Sequence, residues 1–152
     1  MSHRVILWGP GQVGVGALRA ILRHPGLELA GLVVHSEAKD GKDAGLLCGM
    51  PECGIIATRD IDAALQIDAD VVAFFGSGDY RLREAAEDVA RCLRAGYDVV
   101  TTSLVPLCYP PAADPELVAL LEEACAAGGT SLFNSGIEPG WINDVLPLTL
   151  AG

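Results

Sequence analysis

The sequence predicts an α/β fold in which a doubly wound parallel sheet of about six strands is covered by helices on both faces. Short apolar runs alternate with segments of helical periodicity along all 152 residues, as strands joined by crossover helices do. Most of the apolar runs show little alternation between apolar and polar residues, which is typical of strands covered on both faces. A glycine-rich turn separates the first apolar run from the first helical segment.

Six strands are expected, each an apolar run bounded by turn-forming or polar residues: Arg4–Trp8, Leu27–Val34, Gly54–Thr58, Ala69–Phe75, Tyr97–Thr102 and Thr130–Asn134. Four helices are expected between them: Gln12–His24, Ile61–Leu65, Tyr80–Ala95 and Pro115–Ala127. The third helix has an apolar residue at every third or fourth position, with Asp79 as its expected N-cap and Gly96 as its stop. The fourth has Asp114 as its expected N-cap and Gly128-Gly129 as its stop.

The first strand and the first helix are joined by six residues that match G-x-G-x-x-G: Gly9, Pro10, Gly11, Gln12, Val13 and Gly14. In Rossmann-type folds the first glycine of this motif allows a tight turn, the second lets the backbone approach a pyrophosphate, and the third lets helix and strand pack closely. Free amide groups at the helix N-terminus then hold the anion. The sequence therefore predicts a Rossmann-type dinucleotide site, with an ordinary glycine-rich turn as the alternative.

The end of the second strand predicts which dinucleotide is preferred. A site for NAD usually has Asp or Glu there to bind the ribose 2′-hydroxyl, whereas this strand runs into His35 and Ser36, with Lys39 close behind. An imidazole, a hydroxyl and an ammonium group can hold a 2′-phosphate. We therefore predict that NADP(H) is preferred and that NAD(H) is the second choice. A solvated loop is the alternative, because Glu37 and Asp40 balance the nearby lysines.

Three later loops follow predicted strands, and ligands collect at the carboxyl ends of strands in open α/β sheets. These loops supply four candidate cofactor contacts: Gly76, Ser77, Thr102 and Asn134. A simple turn is the alternative at the first two positions, and an ordinary strand terminus is the alternative at Thr102. The catalytic group is unknown. Glu138 is the carboxylate in these loops and a candidate acid, base or ammonium anchor, with a solvent-facing loop glutamate as the alternative.

Charge and cysteine content exclude several function classes. The 10 basic and 20 acidic residues give a formal net charge of −10, and such a surface repels phosphate backbones and anionic lipids. Nucleic acid and membranes are therefore not expected partners, and a small-molecule substrate is. The five cysteines lack the paired spacing of a metal site, so no metal is expected. They fit a reducing, cytoplasmic location.

Five segments together resemble the dihydrodipicolinate reductase superfamily: Val5–Gly14, Leu32–Ser36, Asp43–Gly45, Val99–Ser103 and Gly136–Gly140. Within it, the sequence is similar to the branch of 2,4-diaminopentanoate and amine dehydrogenases. The resemblance implies a two-domain NAD(P)H oxidoreductase that reduces a C=N bond or oxidises an amine, often as a dimer or tetramer.

The resemblance also implies how the chain is organised. Residues 1–140 form the dinucleotide-binding domain, and residues 141–152 begin a helix that would lead to a substrate domain absent from this chain. We therefore expect a truncated NAD(P)H-binding domain, inactive alone and completed by a homo-oligomer or by a separate substrate-domain chain. Whether the chain is itself an enzyme stays open. The alternative function is a non-catalytic nucleotide-sensing or interaction module.

Overall fold

A computed structural model describes residues 2–151 of the protein, and the chain divides into two compact units, residues 1–76 and 77–152. The first unit contains these elements: β1 (His3–Trp8), α1 (Gln12–Arg23), β2 (Leu27–Val33), α2 (Ala44–Leu47), β3 (Ala57–Thr58), α3 (Ile61–Ala64) and β4 (Val71–Phe74). The second contains these: α4 (Leu82–Arg94), β5 (Asp98–Thr101), α5 (Pro115–Gly128), β6 (Leu132–Asn134) and α6 (Val145–Ala151). No helix among residues 2–151 is both long enough and apolar enough to cross a membrane.

The strands form a six-stranded sheet in the order β3-β2-β1-β4-β5-β6. In the first unit β1 pairs in parallel with β2 and β4, and β2 pairs in parallel with β3; in the second, β5 and β6 are parallel. The predicted fold class, a Rossmann-type parallel α/β sheet of about six strands, is confirmed. Because β2 and β4 lie on opposite sides of β1, the strand order reverses at β1, which is where ligands bind in such sheets.

The core of the first unit covers both faces of its sheet. On one face, side chains of β1 and β2 pack against α1: Val5, Leu7, Leu18, Ile21, Leu29 and Leu32. On the other face Ile6, Trp8, Val72 and Phe74 are buried as well. Successive side chains of a strand point to opposite faces, so the unbroken apolar run of β1 follows directly from burial on both sides.

The second unit is built on α4 and α5, which pack against each other, with α4 also contacting β5. Their facing side chains are buried: Ala86, Val89, Leu93, Leu117, Leu121 and Ala124. The predicted ends of α5 are confirmed, because the Asp114 carboxylate accepts the Glu116 N–H at 2.9 Å and Gly129 adopts a left-handed φ of 65°. The predicted N-cap of α4 is wrong. Arg81 holds that position, and α4 begins at Leu82 without a side-chain cap.

Three further elements differ clearly from the sequence prediction. The third strand shortens to Ala57–Thr58, because the N–H groups of Cys53 and Gly54 donate to the Asp43 carboxylate instead of to a neighbouring strand. The helix α2, which has no prediction, begins directly after the same aspartate. The last helix begins at Val145 rather than at residue 141, since residues 141–144 form turns.

Candidate functional site

The three glycines of the loop after β1 have three different environments. Gly9 has a φ of 87°, and a Cβ there would lie 2.8 Å from the carbonyl oxygen of Phe75. A Cβ on Gly14 would overlap the carbonyl oxygen of Gly9. A Cβ on Gly11 would meet nothing within 4 Å, because this residue faces open space. Gly9 therefore forms the tight turn, Gly14 lets α1 pack closely, and Gly11 leaves open space in front of the helix. The motif assigns these three roles to its glycines in the same order.

The N-terminus of α1 points its amide groups into the same loop. Gly11 is the N-cap residue, with a φ of −83° and a ψ of −156°, and no side chain caps the helix. The first turn also contains no acidic residue. The initial N–H groups of a helix have no intrahelical partner and carry its positive dipole end. Gln12 and Val13 are exposed in this turn, so an anion can reach the amide groups without displacing a side chain.

The tip of β2 is tied to the loop by two side-chain hydrogen bonds. The indole Nε1–H of Trp8 donates to Nε2 of His35 at 3.2 Å, and Nζ of Lys39 donates to the carbonyl oxygen of Pro10 at 2.5 Å. His35 and Ser36 are exposed. The structure therefore brings the predicted residues His35, Ser36 and Lys39 to the same edge of the first unit as the glycine loop. Glu37 and Asp40 lie in the same segment and are exposed.

The remaining predicted contacts are distributed between the two units. In the first, the backbone of Gly76 follows β4, and its nitrogen would lie 2.9 Å from a Cβ on Gly9. In the second, Ser77 is exposed and Thr102 follows β5. Asn134 ends β6; its Oδ1 accepts the Leu104 N–H at 3.2 Å, and its Nδ2 lies 3.0 Å from Sγ of Cys108.

Glu138, the candidate acid or base, has an exposed side chain in the second unit.

Asn134 also lines a mainly apolar groove of about 320 Å³ in that unit, between α5 and the 3-10 turns at Val105–Cys108 and Pro110–Ala112. The side-chain amide of Asn134, which borders this groove, already has two hydrogen-bond partners in the second unit.

Asp43, in the D-A-G segment, is a buried carboxylate whose role is structural. Its oxygens accept N–H groups from Gly45 at 2.8 Å, Cys53 at 3.1 Å and Gly54 at 2.8 Å. Desolvation raises the pKa of Asp43, but the backbone donors outweigh it and hold the pKa below its ordinary value. The side chain joins the start of α2 to the chain ten residues later.

Two of the cysteines, Cys92 and Cys125, have a raised pKa and are therefore not activated thiols. Burial raises the pKa of the Cys92 thiol to about 12, with the Asp88 carboxylate acting in the same direction. Burial also raises the pKa of Cys125. Across residues 2–151, all five cysteines are free, and no group of three His, Cys, Asp or Glu side chains is placed to hold a metal ion.

Trp8 is the member of this site that sequence patterns missed. It reads as an ordinary core residue at the end of a buried strand, and its polar partner lies 27 positions away. The available signal was chemical, because a buried indole N–H needs an acceptor.

Residues 3–103 match the family model described as the N-terminus of dihydrodipicolinate reductase. The chain belongs to this family. It is 45% identical over 148 residues to an amine dehydrogenase of Streptomyces virginiae, covering 97% of this chain and 41% of that protein. It is 26% identical over 160 residues to 2,4-diaminopentanoate dehydrogenase of Acetoanaerobium sticklandii, covering 98% of this chain and 42% of that one.

Among solved structures, amine dehydrogenase from Mycobacterium smegmatis matches with a TM-score of 0.78 at 27% identity, over 90% of this chain and 40% of that one. The chain therefore spans about two fifths of the length of these relatives. The predicted family is confirmed, as is the predicted role as the NAD(P)-binding domain of a dihydrodipicolinate reductase-like oxidoreductase.

Proposed function

We propose that this domain binds NADP(H) in preference to NAD(H), with the pyrophosphate on the N-terminus of α1 and the 2′-phosphate at the tip of β2. The observation that carries the proposal is the open space at Gly11, directly in front of an uncapped helix N-terminus. A charge-assisted hydrogen bond from a backbone N–H to a phosphate oxygen is among the stronger polar contacts in proteins. This local geometry can hold an anion although the chain has a net charge of −10.

The residues at the tip of β2 support the preference for the 2′-phosphate. His35, Ser36 and Lys39 offer hydrogen-bond donors, and Lys39 also brings a positive charge to the loop through its bond to Pro10. A ribose 2′-hydroxyl needs an acceptor for its proton, and the strand end that usually carries Asp or Glu carries His35 and Ser36 here, with Glu37 one position later. Phosphate oxygens accept without donating, so they suit this set of groups better than a hydroxyl does.

The other predicted contacts belong to the same proposal. Gly76, Ser77, Thr102 and Asn134 would contact the remainder of the cofactor, whose nicotinamide supplies or accepts a hydride when bound. Glu138 is the proposed acid, base or ammonium anchor. For the whole protein we propose reduction of a C=N bond or oxidation of an amine, as the names of the amine and 2,4-diaminopentanoate dehydrogenases suggest.

Completion of the active protein is also proposed. Residues 1–140 would act as the cofactor domain, with residues 141–152 leading to a substrate domain, and the active protein would be completed by a homo-oligomer or by a separate substrate-domain chain. The five free cysteines support a reducing, cytoplasmic location.

Replacing Gly11 with valine tests the cofactor site. The backbone angles at Gly11 suit a β-branched residue, and the new side chain would meet no protein atom within 4 Å at its Cβ. It would instead occupy the space in front of the amide groups. We expect Gly11→Val to weaken NADP⁺ binding by at least about a hundredfold, because two or more charge-assisted hydrogen bonds are lost.

Isothermal titration calorimetry measures this affinity, and circular dichroism checks the fold. Gly16→Val is the matched control, because Gly16 lies on α1 and also faces open space, but not in the first turn. Equal NADP⁺ affinity in wild type and Gly11→Val would contradict the proposed phosphate site. Tighter binding of NAD⁺ than of NADP⁺ by the wild type would contradict the proposed preference alone.

A further inference from the structure

The indole of Trp8 is held in one place by its surroundings. The side chain is fully buried at the carboxyl end of β1. The ring of Phe74, its register partner on β4, packs on it with ring centroids 5.5 Å apart at an angle of 48°. A buried indole N–H needs an acceptor, and here the acceptor is Nε2 of His35, at 3.2 Å.

Strand register explains why the two side chains meet. Trp8 pairs with Val33 of β2, and His35 comes two residues later. Because side chains two residues apart on an extended chain point to the same face, His35 lies on the face of Trp8, just beyond the end of the strand. Its ring centroid is 6.2 Å from that of the indole. The buried ring therefore reaches an exposed ring at the predicted ribose site.

This hydrogen bond defines which nitrogen of His35 carries the proton. A nitrogen that accepts a hydrogen bond must be unprotonated, so a neutral imidazole that accepts at Nε2 has its proton on Nδ1. The acceptor of the ring is then occupied by Trp8, and what remains for a ligand is a donor. Without the indole N–H, the ring could exchange tautomers and offer an acceptor instead.

We propose that Trp8 is a specificity-determining positioning residue, which makes His35 a hydrogen-bond donor and so favours a ribose 2′-phosphate over a 2′-hydroxyl. This inference rests on the proposed cofactor site. A phosphate oxygen accepts from Nδ1–H, whereas a 2′-hydroxyl loses the acceptor that its own proton needs. Trp8 acts through His35 and does not itself contact the nucleotide.

The test measures the dissociation constant of NAD⁺ divided by that of NADP⁺. This ratio is compared in wild type, Trp8→Phe and the control Trp141→Phe. Phenylalanine keeps an aromatic ring but lacks the N–H. The ratio should fall about fivefold in Trp8→Phe, the worth of one hydrogen bond, and stay unchanged in the control. In a His35→Ala background, Trp8→Phe should leave the ratio unchanged, because the two residues act as one unit. An undiminished ratio in Trp8→Phe would overturn the inference and leave the cofactor site standing.

A second measurement does not depend on nucleotide binding. The ¹⁵N NMR signals of the His35 ring should show a protonated Nδ1 and an unprotonated Nε2 in the wild type, and exchange between tautomers in Trp8→Phe. A proton on Nε2 in the wild type would overturn the inference. If Trp8→Phe does not fold, benzothienylalanine at position 8 keeps the shape of the indole and removes the N–H, and the same outcomes apply. Failure of the wild type to bind either nucleotide would instead refute the proposed function.

Discussion

Ser36 is the residue at which a single substitution should change the cofactor preference most directly. It follows His35 at the tip of β2, and its side chain is exposed. An aspartate at this position would repel a 2′-phosphate and accept the 2′-hydroxyl proton of NAD. We expect Ser36→Asp to shift the ratio of NADP⁺ to NAD⁺ affinity towards NAD⁺ by about tenfold or more, since a charge-assisted hydrogen bond replaces an electrostatic repulsion.

Calorimetric titration with both nucleotides measures this shift. Ser2→Asp serves as the matched control, because it adds the same charge at the amino end of β1, away from the tip of β2. A Ser36→Asp variant with the wild-type ratio would show that this position does not contact the ribose.

Asp43 shows how one residue can determine a segment that local patterns do not predict. Its carboxylate accepts N–H groups from Gly45, two positions later in the chain, and from Gly54, eleven positions later. Asn has one acceptor oxygen where the carboxylate has two, so Asp43→Asn leaves at least one of these N–H donors without its partner. We expect the variant to unfold at a clearly lower urea concentration than the wild type.

The pH dependence of this effect follows from the lowered pKa of Asp43. A carboxyl group whose pKa is lower in the folded than in the unfolded state stabilises the fold above its unfolded pKa. This stabilisation is lost as the pH falls through the folded pKa. The difference in free energy of unfolding between the wild type and Asp43→Asn should therefore decrease as the pH is lowered into the acid range. Asp68→Asn is the control, because the Asp68 side chain is almost fully exposed. An Asp43→Asn deficit that persists unchanged at low pH would contradict this explanation.

At the scale of elements, the backbones of α4 and α5 are in close contact at Gly128. A Cβ there would overlap the carbonyl oxygen of Leu93, near the end of α4. The next residue, Gly129, has a φ of 65° but faces open space. We expect Gly128→Ala to lower the free energy of unfolding by about 1–3 kcal/mol, because two backbones must separate. Gly129→Asn should cost less than about 1 kcal/mol, because Asn tolerates the left-handed conformation.

Urea denaturation followed by circular dichroism measures both variants. The reverse order of stability would show that the turn after α5, and not the contact between the helices, limits substitution at this pair of glycines.

The elements that the sequence predicted well are those whose signals are local. The helix α5 carries its own cap, its proline at the first position and its glycine stop, and all three are where the pattern placed them. The predicted strand from Gly54 to Thr58 is shorter in the structure, because its first residue, Gly54, bonds to Asp43, which lies outside the segment. The glycines of the loop after β1 were likewise predictable, because the whole motif lies within six consecutive residues. The hydrogen bond between Trp8 and His35 was not, because it depends on the register of two strands.

At the scale of the whole molecule, charge and apolar exposure oppose each other. The net charge of −10 gives a long-range repulsion between copies of the chain. Large apolar side chains that remain exposed are concentrated in the second unit: Tyr80, Val100, Val105, Tyr109, Phe133, Ile137, Trp141, Ile142, Val145, Leu148 and Leu150. Two of them, Val100 and Phe133, are register partners on β5 and β6 and so share one face of this strand pair.

This face should drive self-association once the repulsion is screened. The Debye length falls from about 30 Å at 0.01 M salt to about 8 Å at 0.15 M, while apolar attraction persists. We expect light scattering across a concentration series to show association that rises with salt and is weaker in Phe133→Ser. The urea midpoint should hardly change, because Phe133 is 65% exposed. Tyr80→Ser is the control, as its side chain is 92% exposed but lies outside the strand pair. If Phe133→Ser instead lowers the midpoint and leaves the association unchanged, Phe133 stabilises the fold of the chain and does not form a contact between copies.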